Sequence, residues 1–364
     1  MSEQLRAALA SVVDGRTLSR EEARLSMGAV MDGEATPAQL GAFLTALRIR
    51  GETVDELAGF AMAMRAHAVH VDAPEGAIDT CGTGGDGRGT FNISTAAALV
   101  LAAAGVPVAK HGNRAVTSAS GSADVLEALG VPTDLGPEAA AAALREVHFA
   151  FLFAPGYQPA MRHAGPTRRE IGIRTAFNLL GPITNPAGTR RQLVGVADPS
   201  AAPRLADVLH ALGTERALVV HGDRLDELPL DGTGVAYDVS PAGVVRREIR
   251  PEDAGLPRAA TETLVGGTPA ENAARMESLF AGERGPIRDA VLLNAAAALL
   301  VAGRVDGLVA GVEAAAAIID RGAAAALLER LRQYRPGAST AAADGAGRTG
   351  AARSPEAQAA GGAR

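Results

Sequence analysis

The first seventy residues repeat apolar positions every three to four residues and show no two-residue alternation of a strand. Leu5, Leu9, Val12 and Val13 fall on one helical face. Ser19 with Glu22, Thr36 with Gln39, and Thr53 with Glu56 have the Ser/Thr-x-x-Glu/Gln spacing of a capping box, in which each side chain satisfies a helix-terminal N–H group. Pro37 stands in a first turn, where a missing N–H costs nothing. These signs predict a small helical bundle. From Ala77 onward short apolar runs alternate with helical stretches. Strands are expected at 77–80, 106–110, 149–153, 193–196, 216–220, 235–239 and 244–249. Helices are expected at 94–104, 121–129, 139–146, 201–212, 269–281, 289–301 and 307–321. Such alternation predicts an α/β fold, a mostly parallel sheet covered by helices, with its active site in the loops at the carboxyl ends of the strands. Residues 336–364 hold almost no large apolar group and read as a disordered tail.

Composition narrows the class. With 364 residues and 47% hydrophobic side chains the chain can bury a large core, although aromatics are only 3% and tryptophan is absent, so Ala, Val and Leu must pack it. A net charge of −6 argues against a nucleic-acid surface. Cys81 is the single cysteine, so no intrachain disulfide forms. No secretory leader and no long purely apolar run stand out, and a soluble, cytoplasmic protein without a membrane partner is expected.

The most informative stretch runs from Asp79 to Thr95. Gly82-Thr83-Gly84-Gly85-Asp86-Gly87-Arg88-Gly89 follows an expected strand and precedes Thr90-Phe91-Asn92-Ile93-Ser94-Thr95, where the next helix opens. Glycines leave no Cβ between backbone and ligand, so successive N–H groups can converge on an anion near a helix N-terminus. A flexible turn, a dinucleotide site and a phosphoribose site all compete for this loop. The formal G-x-G-x-x-G match is weak, because the helix opens too late and the following strand ends in Lys110 rather than an acid. No Gly-Lys-Ser/Thr follows, which excludes a Walker loop. A second polar loop, Lys110-His111-Gly112-Asn113-Arg114-Ala115-Val116-Thr117-Ser118, leaves the next strand and leads through Ser120 and Ser122 into another helix.

These two loops, in this order, resemble the anthranilate phosphoribosyltransferases of tryptophan biosynthesis. Downstream, Arg162–Thr175, Phe177–Pro186 and Asp226-Glu227-Leu228 also look like signatures of that family, and the resemblance spans residues 3–335. It implies a small N-terminal all-α domain (1–72, with a returning helical segment near 165–185) and a large α/β catalytic domain (73–335), assembled as a homodimer. It implies that phosphoribosyl pyrophosphate is held by Gly82, Gly85, Asp86, Thr90, Asn92, Ile93, Ser94 and Thr95. From the second loop Lys110, His111, Gly112, Asn113, Arg114, Ala115, Val116, Thr117 and Ser118 would join them, with Ser122. Gly82, Asn113 and Arg168 would hold anthranilate, and Ser94, Asp226 and Glu227 would bind Mg2+.

The chemistry agrees with that assignment. Displacing pyrophosphate from ribose by an aromatic amine, neutral at pH 7, demands no strong base, so positioning and charge stabilisation carry the reaction and no distinct acid/base residue is expected. A guanidinium at Arg168 matches a carboxylate in bidentate fashion. Arg169 or Arg174 could instead pair with Glu170. Pro229–Thr233 and Thr117 depart from the usual family pattern. A pyrimidine nucleoside phosphorylase and a non-catalytic nucleic-acid-binding relative are the alternatives. The Lys110–Arg114 pattern argues against the first, and the overall acidity against the second.

Overall fold

The computed structural model describes residues 2–85, 87–115, 119–223 and 225–336. Four helices open the chain: α1 (Glu3–Val13), α2 (Arg20–Met31), α3 (Pro37–Arg50) and α4 (Val54–Ala66). All three expected capping boxes form, and a cap of this kind stabilises by about 1 kcal/mol. Leu5, Met27, Phe43, Leu57 and Phe60 fill the space between these helices. Phe43 and Phe60 meet edge to face at 5.9 Å. The expected face of α1 needs one correction. Leu5 and Val12 are buried and Leu9 half-buried, but Val13 is 68% exposed. The face runs through Leu5, Ala8 and Val12, and Val13 lies a further turn of about 100° around the helix.

The chain continues through β1 (Ile78–Gly82), α5 (Ile93–Ala103), β2 (Val108–Gly112), α6 (Ser122–Ala128), α7 (Pro137–Glu146) and β3 (Phe149–Phe153). Three short helices follow, α8 (Ala154–Tyr157), α9 (Gly165–Ile171) and α10 (Phe177–Leu180). Then come β4 (Arg191–Gly195), α11 (Ala202–Ala211), β5 (Arg216–His221), β6 (Gly234–Ser240) and β7 (Gly243–Ile249). Helices α12 (Pro269–Phe280), α13 (Pro286–Val301), α14 (Leu308–Asp320) and α15 (Ala323–Gln333) complete it. Every expected strand and helix is present, with ends displaced by a few residues. Helix α15 was not among the expected helices. The tail expected from 336 lies, beyond Pro336, outside the described residues.

The seven strands form one sheet in the order β3-β2-β1-β4-β5-β6-β7. The first five are parallel, and β6 and β7 add on antiparallel. β7 ends the sheet with exposed Arg246, Arg247 and Glu248, charges that blunt an open edge. Side chains alternate between two apolar layers. Leu193, Leu218 and Val220 join the layer with α5 and α13, whereas Val194, Ala217 and Val219 join α11 and the four-helix bundle. Ala164, Phe177, Leu180 and Ile183 also enter the bundle's layer. From β1 the chain crosses one way to β2 and later the other way to β4. Loops leaving β1 and β4 therefore diverge and open a crevice at their carboxyl ends.

Candidate active site

The glycine loop leaves β1 at this crevice. Gly84, Gly85, Gly87 and Gly89 all lie in the left-handed region, with φ of 62°, 74°, 68° and 62°. That conformation is open to glycine at no steric cost. The far end of the loop is stitched to 264–266: Phe91 N–H donates to Leu264 C=O (2.8 Å), Gly266 N–H donates to Gly89 C=O (2.8 Å), and Thr90 bridges Val265. Its near end is tied to β4, where Thr83 N–H donates to Gly195 C=O (2.9 Å).

The two acidic residues after β5 reach across to this loop. Asp226 Oδ2 accepts the Gly84 N–H (2.9 Å), and Glu227 Oε1 accepts the Ser94 N–H at the start of α5 (3.1 Å). Adjacent side chains face one site because the backbone here is irregular. Gly222 N–H donates to Leu225 C=O (2.9 Å), and Asn294 of α13 donates to Leu228 C=O (3.2 Å) while accepting the Leu228 N–H (3.0 Å). Two glycines make room. A Cβ on Gly82 would lie 2.5 Å from Asp226 Oδ2, and one on Gly195 only 1.6 Å from Asp226 C=O.

Lys110 stands in the middle of β2 beneath this group. It is 1% exposed, and its Nζ donates to Thr80 C=O and lies 3.4 Å from Ser94 Oγ. Burial pulls the ammonium below the ordinary lysine range, and the Asp79 carboxylate opposes that pull. Ser94, Lys110, Asp226 and Glu227 therefore form one cluster around the loop. Two carboxylates and a hydroxyl are hard oxygen donors of the kind Mg2+ takes together with substrate phosphates. Among the described residues no group of three His, Cys, Asp or Glu side chains makes a closed metal cage. The donor set fits an ion carried partly by its substrate.

On the other side of Gly82 lies a cleft of about 710 Å3, lined by Gly82, Thr83, His111, Asn113, Arg168 and Phe177 among others. The Arg168 guanidinium stacks over the Phe177 ring at 4.8 Å, and burial lowers its pKa. Burial likewise pushes the His111 imidazole down to about 4, so it is neutral at physiological pH and cannot act as an acid there. Arg162 and Arg169 line the same cleft. Among the described residues no ion pair joins Arg169 or Arg174 to Glu170. Arg174 instead points to the glycine loop, with Nη1 3.1 Å from where a Gly85 Cβ would stand.

Other candidates sit differently. Asn92 spends its side chain on a joint, exchanging hydrogen bonds with Ser120 and accepting from Asn272 (2.9 Å). Ile93 and Thr95 are buried beneath the loop rather than on it. Arg114 pairs with Asp124 and Glu127 and lies over the Phe153 ring. Asp124 also accepts the N–H groups of Ala115 and Gly121 (both 2.9 Å), holding the second loop. Ser122 begins α6 against Gly112, whose absent Cβ would meet the Phe151 ring at 2.9 Å. Asp86, Val116, Thr117 and Ser118 lie outside the described residues.

Sequence reasoning passed over Asp79, Asp124, Asn185 and Asn294. Asp79 is an acid inside an apolar strand and Asn294 an amide inside an Ala/Leu helix. Such groups are rarely buried without a partner, and that was the available signal.

Comparison with known proteins places this geometry. A family profile described as the glycosyl transferase family a/b domain matches residues 74–325, and one described as the glycosyl transferase family helical bundle domain matches residues 6–68. The chain is 54% identical over 329 residues to the anthranilate phosphoribosyltransferase of Moorella thermoacetica, covering 90% of this chain and 97% of the relative. The crystal structure of anthranilate phosphoribosyltransferase from Thermus thermophilus is similar at 46% identity and a TM-score of 0.85, covering 90% of this chain and 98% of that one. The Saccharomyces cerevisiae anthranilate phosphoribosyltransferase in complex with PRPP and Mg is similar at 26% identity and a TM-score of 0.83, covering 91% and 98%. These relatives carry the name of the first reading, not of a nucleoside phosphorylase.

Proposed function

Because the chain belongs to the anthranilate phosphoribosyltransferase family, we propose that it transfers the phosphoribosyl group of 5-phosphoribosyl 1-pyrophosphate to the amine of anthranilate, a step of tryptophan biosynthesis. The observation that carries this is the meeting of two unlike sites at Gly82. One side offers an anion cradle with oxygen donors, the other an arginine-lined cleft.

The loop amides and Lys110 bind pyrophosphate and stabilise the charge it gains on leaving. Ser94, Asp226 and Glu227 hold Mg2+, which when bound neutralises phosphate charge. Arg168 takes the anthranilate carboxylate through its paired N–H groups, and its stacking on Phe177 limits the directions it can face. Asn113 and Gly82 border the same space, which orients the amine toward the ribose carbon. No side chain need remove a proton before attack, and the neutral His111 serves as a wall. Remaining contacts to the phosphoribosyl group come from Gly85, Asp86, Thr90, the backbone of Asn92–Thr95, His111–Ser118 and Ser122.

The same reading divides the chain at about 72/73 and makes it a cytoplasmic homodimer. Of the eight exposed large apolar side chains among the described residues, four, Val13, Leu25, Ile49 and Met62, lie on bundle helices, which supports a partner there. No described helix is long and apolar enough to cross a membrane. Mixing the protein with anthranilate, phosphoribosyl pyrophosphate and Mg2+ should extinguish anthranilate fluorescence. Unchanged fluorescence alongside phosphorolysis of thymidine or uridine would overturn the proposal.

A further inference from the structure

The hydrogen-bonded ladder of the sheet is incomplete at the site. β1 pairs with β4 through five residues and β2 with β3 through five, but β1 and β2 share one registered pair, Ile78 with Val108. Beyond that pair the strands stay neighbours without a registered ladder, and backbone groups that would have completed it must find other partners. Side chains supply them. His111 N–H donates to Asp79 Oδ1 (3.2 Å), Ala109 C=O accepts Asn185 Nδ2 (2.8 Å), and Thr80 C=O accepts Lys110 Nζ. Asn185 Nδ2 also donates to Asp79 Oδ2 (2.8 Å), and Asn185 Oδ1 accepts the Ala187 N–H (2.8 Å). Asp79 is 0% exposed and Asn185 4% exposed.

We propose that Asp79 is a positioning residue for the transfer reaction: with Asn185 it forms a buried polar wedge that takes the place of the β1–β2 ladder and so sets where Lys110 stands. The inference rests on the reaction proposed above. Three features of the wedge argue for placement rather than mere packing. It is anchored to two strands and to the 182–185 segment at once. It meets β2 at the His111 N–H, next to the residue whose ammonium lies beside Ser94. A carboxylate with two acceptor oxygens is the group that can receive a backbone N–H and an amide N–H simultaneously. An asparagine there would present one donor among donors, and the gap could not keep its geometry.

The test is Asp79→Asn, with Asn185→Ala as a milder second variant and Asp79→Asn/Asn185→Asp as a partial rescue, because the last restores a donor facing an acceptor between the two side chains while leaving Ala109 C=O without its donor. Steady-state rates separate KM for each substrate, and calorimetry measures pyrophosphate binding in the presence of Mg2+. Wild-type turnover tests the reaction itself, and the difference between wild type and variant tests the wedge. Expected for Asp79→Asn is a tenfold or larger rise in KM for phosphoribosyl pyrophosphate and in the pyrophosphate Kd. KM for anthranilate should stay within about twofold, and the double variant should recover part of the loss. Should Asp79→Asn not fold, Asn185→Ala is expected to show the same selective change at threefold or more. A lowered melting temperature with both KM values and the pyrophosphate Kd unchanged would mark Asp79 as structural only and overturn the proposal, as would equal losses for both substrates.

Discussion

Replacing Gly195 by alanine adds one methyl group at the end of β4, and its consequence can be worked out. Gly195 is not among the positive-φ glycines, so alanine brings no backbone strain. It brings a collision. The Cβ would stand 1.6 Å from the Asp226 carbonyl oxygen and 2.5 Å from its carbon, where ordinary contact begins at 3.4 Å. Restoring contact therefore takes about 1.8 Å of separation between two backbones, neither of which is a flexible side-chain end. Leu228, two residues on, is held to Asn294, so the displacement concentrates in Asp226 and its 2.9 Å bond to Gly84. Overpacking of this kind costs about 1–3 kcal/mol of stability, and a misplacement near 1 Å costs on the order of 100-fold in rate. The assay is anthranilate fluorescence at varied phosphoribosyl pyrophosphate and Mg2+, on variant protein shown to be folded by circular dichroism. We expect kcat/KM for the sugar to fall about 100-fold and the Mg2+ midpoint to rise, with KM for anthranilate changed less than about threefold. Gly136→Ala is the control, since its added Cβ meets nothing within 4 Å and its φ is −68°. A folded Gly195→Ala enzyme with wild-type sugar and Mg2+ dependence refutes the reasoning.

Three further expectations follow from the site. Arg168→Ala should raise KM for anthranilate at least tenfold with little change for the sugar, and Arg168→Lys should recover little of it because an ammonium cannot make the paired contact; equal losses for both substrates would remove Arg168 from the acceptor side. Asp226→Asn with Glu227→Gln should shift the Mg2+ titration to higher concentration, and an unchanged titration would remove them as ligands. The third concerns acid. His111 titrates near 4 in the fold against an ordinary 6.5, so as pH falls from 6.5 toward 4 the unfolded chain takes a proton that the native one refuses, and stability drops. Asp79 acts with the opposite sign: buried, it is pushed up to about 6, so stability drops as pH rises from about 4 to 6. Each shift is worth on the order of 3 kcal/mol, and the two largely cancel. His111→Gln removes one, so relative to wild type the variant should gain about 2–3 kcal/mol between pH 6.5 and 4.5 in urea unfolding. A wild-type-to-variant difference that stays constant across that range would sink this account.

Much of the architecture was legible in the chain because it is written in local rules. The capping boxes at Ser19, Thr36 and Thr53 form as read, and each apolar run from Ile78 to Ile249 became a strand. The glycine loop was legible for the same reason, since its φ values demand glycine. What could not be read was whatever depends on tertiary approach. Nothing about Gly195 announces that Asp226 passes 1.6 Å from its missing Cβ. Nothing in the Lys110–Arg114 run says that Arg114 turns away to Asp124 and Glu127 while Lys110 turns inward. The interrupted ladder is equally invisible, because the amide that takes up Asp79 and Ala109 C=O is Asn185, 106 residues beyond Asp79.

The tie between Asn294 and Leu228 has a consequence for how the enzyme works in time. Both backbone polar groups of Leu228 are satisfied by one amide that is 0% exposed within a sixteen-residue helix. Releasing the Asp226-Glu227 corner thus means breaking buried bonds, an opening that belongs near the high end of local unfolding free energies. Exposed Gly84, Gly85 and Gly87, with no side chains to dislodge, belong near the low end. The acidic corner is thereby the more firmly held wall of the crevice and the glycine side the less firmly held one.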